Sequence, residues 1–586
     1  MVTFRRLLGF LRPYRAGVTV SFALAFGAMG ATVVIPYLTG RAIDSIRGHH
    51  RHELTLLVIG IGLAGIIRLG LSVARRLVAG RISLGVEVDL RNRLYGHLQG
   101  LELAFFDSQQ TGQLMSRVTV DLQAVRFFLG YGLIFIGQSL LSILLAAVAM
   151  FALRPGLAAL ALAPVPFVVV IAQRYGRRSQ PALKEVQQRI AELTANAQES
   201  IAGVRVVKAF AQEERQLKRF EHSVTRVFDQ AIHATRIQAR YTPMIAFLPN
   251  LGLAAILLVG GREVIAGSLT VGQFTAFYAY LLMLIVPMRT LGVMLSAAQR
   301  STASGARIFQ ILDREPRLTT PAGAPPLPAG RGRVSLRGVG LTFEGASRAA
   351  LSEVDLEIEP GRTVAVVGAI GAGKTALVSL LARLYEVSTG SVAIDGADVR
   401  SVDLPSLRRA IAMVTDDPFL FSASVHDNIA YARADATREE VRSAARAAQA
   451  DSFIGSLPGG YDTLVGERGL TLSGGQRQRI AIARAILADP RVLILDDATS
   501  SVDASTEQEI KLALAQVMQG RTTFVIAHRL STIALADEIV VLADGRVVAH
   551  GDHDQLLDRS ELYREIVEQG MPGQAGVGLA AGVARS

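Results

Sequence analysis

The sequence predicts a two-part chain: an α-helical six-span transmembrane domain with long cytoplasmic extensions, followed by an α/β domain. Three observations predict it. Half of the 586 residues are hydrophobic, 19% are charged and the mean hydropathy is +0.35, an apolar balance that soluble domains of this size rarely show. The first half holds repeated apolar runs long enough to cross a bilayer, which takes about 20 residues. Beyond residue 333, short strand-like runs such as VSLRGVGLTF and TVAVVG alternate with helical segments, the grammar of an α/β fold.

The spans fall near 18–43, 55–79, 129–153, 156–175, 243–266 and 272–296. An even number returns the chain to the side it left. Arg5, Arg6, Arg12 and Arg15 before the first span, with Arg174, Arg177 and Arg178 after the fourth, put that side in the cytoplasm. The short first outer loop, RGHHRHE at 47–53, runs against this rule. At the start of the chain, arginines interrupt the apolar residues and no cleavage pattern follows. The segment therefore reads as an amphipathic helix on the membrane surface rather than a signal peptide. Residues 80–128 and 176–240 are polar, helical in period and too long for turns. They are either spanning helices continued far into the cytoplasm or independent amphipathic helices. Arg68 and Arg289 lie at or near membrane depth, where a charge faces a wet cavity, snorkels or pairs with a neighbouring helix.

A net charge of +11 fits positive-inside bias or an anionic lipid surface, and the hydrophobicity argues against nucleic acid as a partner. The absence of cysteine excludes disulfides, thiolate zinc sites and cysteine-ligated clusters, and the absence of tryptophan leaves any interfacial aromatic belt to Tyr and Phe. The composition changes at 313–333, DREPRLTTPAGAPPLPAGRGR, which reads as a linker. The predicted organisation is a transmembrane domain at 1–312, the linker, a second domain at 334–569 and a Gly- and Ala-rich disordered tail at 570–586.

Chemistry concentrates in the second domain. An apolar strand at 364–367 runs into Gly368, Ala369, Ile370, Gly371, Ala372, Gly373, Lys374 and Thr375, and then a helix. This is a P-loop in the context it requires, a much more specific signal than the string alone. Its glycines let backbone N–H groups curl around a β-phosphate, and the helix adds its positive N-terminal end. Lys374 is placed to reach the β- and γ-phosphates, and the Thr375 hydroxyl to ligate Mg²⁺. Four apolar residues at 492–495 then lead to Asp496 and Asp497. Alone this would be a strand ending in an acidic turn; beside a P-loop, Asp496 is the carboxylate that holds Mg²⁺ through water.

A third motif, Leu472, Ser473, Gly474, Gly475, Gln476, Arg477, Gln478 and Arg479, resembles the signature of the ABC transporter family. A helix cap at Ser473 would explain only one of its eight residues. The resemblance implies that Ser473, Gly474, Gly475 and Gln476 bind ATP held by the opposite subunit's P-loop. It also implies that Phe343 stacks on adenine, that Asp503 in SSVD belongs to the D-loop, and that His528 in VIAHRLST contacts the γ-phosphate. The stretch 463–469 resembles the exporters' X-loop, while 103–122 and 199–214 resemble their two intracellular coupling loops. Across residues 5–569 the chain thus resembles an exporter-type half-transporter with an ABC ATPase domain, and the polar stretches resolve into helical extensions. The implied activity is ATP-driven export of amphiphilic small molecules, drugs or lipids across the inner membrane by a dimer, with the cassette in the cytoplasm. Import by the same fold, or a regulatory subunit that binds ATP with little turnover, are the alternative readings.

Three positions depart from the family. Asp497 stands where the family has the Glu that polarises attacking water, a carboxylate pulled back by about 1.5 Å. Asp416 replaces the Q-loop glutamine near Mg²⁺ and the γ-phosphate, and Ala376 replaces a frequent Thr that meets an α-phosphate oxygen. All three lie on the chain's own P-loop face, while its signature and D-loop are intact. The expectation is a heterodimer with one degenerate ATP site; a homodimer with two slow sites is the alternative.

Overall fold

The computed structural model describes residues 2–568 apart from 322, 467, 468, 470, 497–503 and 528. The expected disordered tail therefore lies outside the described residues. The chain divides into two compact units: Met1–Gln99 with Gly112–Arg314, and Gly100–Thr111 with the chain from Glu315 onward.

The first unit is helical because its sequence has long apolar runs and few breakers. Among the described residues, six helical stretches are long and apolar enough to span a membrane: Arg12–Arg47, Arg51–Gln99, Thr111–Leu153, Pro155–Ala202, Glu213–Ile265 and Val271–Leu312. Every one far exceeds the roughly 20 residues a bilayer needs. At about 1.5 Å per residue, the 53-residue Glu213–Ile265 helix is ~80 Å long against a hydrocarbon core of ~30 Å. The polar stretches are therefore continuations of spanning helices. Arg68 is exposed, and the Arg289 side chain lies outside the described ones.

Ion pairs that would be costly in lipid hold these extensions together. Glu87 accepts from Arg91 and Arg126, each at 2.7 Å, and the buried Asp121 accepts both the Nε of Arg307, at 2.8 Å, and its Nη2. At the other end, the Asp44 carboxylate accepts from the Thr270 hydroxyl at 2.6 Å and the Gly272 N–H at 2.8 Å, fixing the first helix to the start of the sixth. Between them lies an apolar core that includes Met150, Leu157, Ile256, Phe277 and Tyr280, with the Tyr280 hydroxyl donating to the Val33 carbonyl at 2.8 Å. One buried charge had no signal in the sequence. Arg75 is 6% exposed and lies 5.4 Å from the centre of the Phe135 ring.

The second unit is α/β. Among the described residues its strands are β1 Val334–Leu341, β2 Leu351–Ile358, β3 Thr363–Val367, β4 Thr389–Ile394, β5 Ala397–Asp398, β6 Ile411–Val414, β7 Val492–Asp496, β8 Thr522–Ile526, β9 Glu538–Ala543 and β10 Arg546–Gly551. One antiparallel sheet runs β2-β1-β4-β5. A second, six-stranded sheet runs β10-β9-β3-β8-β7-β6 and is parallel except at the β10 edge. Residues of β3 and β8 are buried throughout, as the strands of a parallel sheet covered on both faces must be. Their continuous Val, Ala, Phe and Ile runs carry no alternation for this reason. The sheet brings the C-terminal ends of β3 and β7 to one edge, separated only by β8, and α/β sheets bind ligands outside those ends.

Candidate functional site

The loop after β3 owes its shape to glycine at two positions. Gly368 has φ +152°, and a Cβ there would lie 2.2 Å from the Leu542 carbonyl oxygen of the neighbouring β9. Gly373 has φ +101°, and its Cβ would meet the Ala350 carbonyl at 2.6 Å. Any larger residue would push the loop off both backbones. The chain can then turn directly from the buried strand into the helix Lys374–Leu381. Between these glycines Gly371 faces open space, and Ile370 stands at the tip, 92% exposed.

Lys374 is 7% exposed, and its ammonium donates to the Gly368 carbonyl at 2.8 Å and the Ala369 carbonyl at 3.0 Å. It therefore closes the loop from inside, with its charge at the cradle. Thr375 Oγ1 lies 3.4 Å from Asp496 Oδ2, which joins the start of this helix to the end of β7. The hydroxyl and carboxylate, residues 121 apart in sequence, make a pair of hard oxygen donors. Among the described residues no cluster of three His, Asp or Glu could hold a metal alone. An open glycine turn, a helix N-terminus, a buried ammonium and two oxygen donors together fit a Mg²⁺–nucleotide whose phosphates complete the coordination. Asp416 follows β6 and is exposed. Asp497, Asp503 and His528 lie outside the described residues.

Phe343 follows β1 and is half-exposed; its ring meets the edge of Tyr385, with centroids 5.1 Å apart and planes at 83°. An aromatic held on one edge by another ring keeps a face for a base. Tyr385 in turn donates to Asp107 Oδ2 at 2.6 Å. Asp107 ends the short helix Leu103–Asp107, within the first of the expected coupling loops. A second tie runs beside it. The Arg317 N–H donates to Glu102 Oε2 at 3.2 Å, and its guanidinium pairs with both oxygens of Glu344, next to Phe343, at 3.0 Å each. Sequence reasoning singled out neither Tyr385 nor Arg317, because both ties span distances of chain that no local pattern marks.

The signature forms the N-terminus of the helix Gly474–Ala488 through a reciprocal cap. Ser473 Oγ accepts from the Gln476 N–H at 3.3 Å, and Gln476 Oε1 accepts from the Ser473 N–H at 3.0 Å. Capping thus accounts for two of the eight signature residues, one more than the sequence implied. Gly474 and Gly475 remain as bare backbone in its first turn. The next residues look elsewhere: Arg477 pairs with Asp417 at 3.1 Å, Gln478 donates to the Thr415 carbonyl at 3.4 Å, and Arg479 donates to the Gln449 carbonyl at 2.9 Å. The segment carrying Asp416 is thereby fastened on both sides to the signature helix. In the first turn Ser473 is exposed, Gly474 is half-buried and Gly475 is buried.

Comparison with known proteins places these features. Residues 18–288 match the model of the ABC transporter transmembrane region, and residues 351–500 match the ABC transporter model. The chain is 36% identical over 570 residues to an uncharacterized ABC transporter ATP-binding protein of Bacillus subtilis, covering 97% of each. It is 37% identical over 567 residues to an ATP-dependent lipid A-core flippase of Syntrophus aciditrophicus, covering 97% of this chain and 94% of that protein. It is 39% identical over 564 residues to a multidrug efflux ATP-binding/permease protein of Mycobacterium tuberculosis, where it spans 47% of the relative's length. A solved bacterial Atm1-family ABC exporter with ATP bound superposes with a TM-score of 0.79 at 29% identity, covering 96% of this chain and 99% of that one.

Proposed function

The chain belongs to the ABC transporters as an exporter-type half-transporter that couples ATP hydrolysis to transport, and from that premise we propose how its own residues divide the work. Lys374 binds the β- and γ-phosphates and Phe343 stacks on the adenine. Thr375, Asp496 and Asp416 would hold Mg²⁺, which neutralises phosphate charge when bound. Asp497 and His528 are the groups available to orient water and the γ-phosphate. Ser473, Gly474, Gly475, Gln476 and Asp503 serve the nucleotide on a partner's P-loop.

The two faces are unequal. Asp497 and Asp416 shorten the water-orienting and Q-loop side chains by one methylene each, and Ala376 lacks a hydroxyl. A general base must stand within about 2.6–3.2 Å of the proton it takes, so the P-loop face binds ATP and turns it over slowly. The signature is complete. The proposed assembly is therefore a heterodimer in which this chain contributes one persistent site and completes the partner's fast one. Its cargo is amphiphilic, of the drug or lipid class named for two relatives, and the cassette faces the cytoplasm of a cell whose inner membrane the chain spans. The observation that carries the reading is the complete signature turn, exposed at Ser473, beside a P-loop face whose second carboxylate is Asp497.

The test is ATPase activity in membranes. The chain alone should hydrolyse ATP slowly, and co-assembly with a half-transporter carrying Glu at the position of Asp497 should raise the rate. Vigorous, cargo-stimulated hydrolysis by the chain alone would sink the heterodimer and leave a homodimer.

A further inference from the structure

The N-terminal helix Val2–Gly9 packs against the cytoplasmic end of the sixth spanning helix. Leu7 is buried and lies against Gly305, while Phe10 stacks on Phe309 with ring centres 6.0 Å apart. Arg6 donates to both oxygens of Asp313, at 2.6 and 2.5 Å, and its guanidinium sits 3.8 Å above Phe309. Around these contacts lies a cavity of about 530 Å³. Its charged lining is Arg5, Arg6, Arg12 and Arg93 against a single carboxylate, Asp313. Arg6 is engaged. Arg93 stands 6.0 Å from the Phe10 ring, and Arg5 and Arg12 have no carboxylate partner among the described residues. His97 is nearby, with a ring nitrogen 2.9 Å from the Arg314 carbonyl.

The level of this cavity matters as much as its charge. Arg12, which lines it, precedes the first predicted span at residue 18 by six residues, or ~9 Å of helix, and Tyr14 between them donates to Asp89 at 2.8 Å. Arg93 is one helical turn further on. Val2 lines the same cavity and is 76% exposed, an apolar group that water does not favour. Surplus guanidiniums over an aromatic floor, beside an exposed apolar residue at the membrane surface, match one chemistry: a phosphate joined to acyl chains.

We propose that this cavity binds the head group of an anionic phospholipid of the cytoplasmic leaflet, with Arg5, Arg12 and Arg93 as donors to its phosphate. A zwitterionic lipid brings its own cation and leaves the arginine surplus uncompensated. A soluble phosphate lacks the acyl chains that would cover Val2. The Arg6–Asp313 pair is the fixed wall that holds the helix in place.

The full-length protein, in detergent, is exchanged against phosphatidylglycerol or phosphatidylcholine, and bound lipid is counted by native mass spectrometry. The parent should retain phosphatidylglycerol in preference to phosphatidylcholine. R5Q/R12Q/R93Q should lose that retention by at least about tenfold, as expected for three surface arginines. A matched variant, K184Q/R205Q/R215Q, removes the same charge from exposed positions on the extensions and should retain the lipid. Equal retention by R5Q/R12Q/R93Q and the parent overturns the proposal, as does equal loss in the matched variant. Competition by glycerophosphoglycerol or inorganic phosphate as effective as competition by the intact lipid would also overturn it, in favour of a free-phosphate site.

Discussion

Replacing Tyr385 by Phe removes one hydroxyl and tests whether the short helix Leu103–Asp107 is fastened beside Phe343. The hydroxyl donates to Asp107 Oδ2 at 2.6 Å, and the ring that remains still meets Phe343 at 5.1 Å. A hydrogen bond to a charged group contributes about 1.5–3 kcal/mol when buried, but Asp107 is exposed and can recover water. That recovery brings the contribution below this range, to about 1 kcal/mol, which is about a fivefold change in how often the segment opens. Full release is not expected, because the Arg317 tie to Glu102 and Glu344 remains. Amide hydrogen exchange reads such opening directly. In Y385F, exchange across 103–107 should quicken about fivefold while ATP affinity stays within about twofold of the parent. Unchanged exchange would refute the role given to the hydroxyl. A loss of ATP affinity as large as that of Phe343→Ala would show instead that the substitution disturbs the ring. Burial, then Asp107, pushes the Tyr385 phenol above its ordinary value. The donor's contribution is therefore complete below the unfolded value near pH 10 and fades only as pH rises through the raised folded value.

Other outcomes follow from the same geometry. Lys374→Ala should abolish detectable ATP binding while leaving the fold, since the ammonium closes the loop on Gly368 and Ala369; a fluorescent nucleotide titration checks it. Gly368→Ala should cost several kcal/mol and destabilise the cassette, because its Cβ would sit 2.2 Å from the Leu542 carbonyl; a small change in melting temperature would contradict the loop geometry. Asp497→Glu should raise the ATPase rate at least about tenfold if the missing methylene limits the site. Asp121→Asn should lower stability by about 1.5 kcal/mol by weakening the Arg307 fork. Despite burial, the hydrogen bonds from Arg307 and Ser304 hold the Asp121 carboxyl below its ordinary value. Its contribution is thus present above the unfolded value near pH 4 and is lost as acid titration passes through the depressed folded value, a loss the Asn variant should not show.

The residues that read clearly from sequence are those whose chemistry is local. Gly368 to Thr375 form one strand, turn and helix start, so a short string carries the whole cradle and the structure needed only to close it. Six spans were legible because lipid imposes one requirement, about 20 consecutive apolar residues, wherever they occur. The polar extensions were left open by periodicity alone. A helix that leaves the membrane carries the same period as an independent one, and unbroken runs such as Arg51–Gln99 and Glu213–Ile265 separate the two.

What tertiary structure alone decided joins residues far apart in the chain. Thr375 meets Asp496 because β8 spaces β3 from β7, and Arg307 finds Asp121 across 186 residues. Tyr385 reaches Asp107 across 278 residues, and the arginines of the N-terminal helix gather with Arg93 around Asp313. A hydrogen bond or ion pair depends on ångström-scale distance and direction, and neither is encoded in the separation of two residues along a chain. Sequence thus determined which chemistry this protein carries, because phosphate cradles and membrane spans are built from contiguous residues. The packing decided which distant side chains that chemistry can reach.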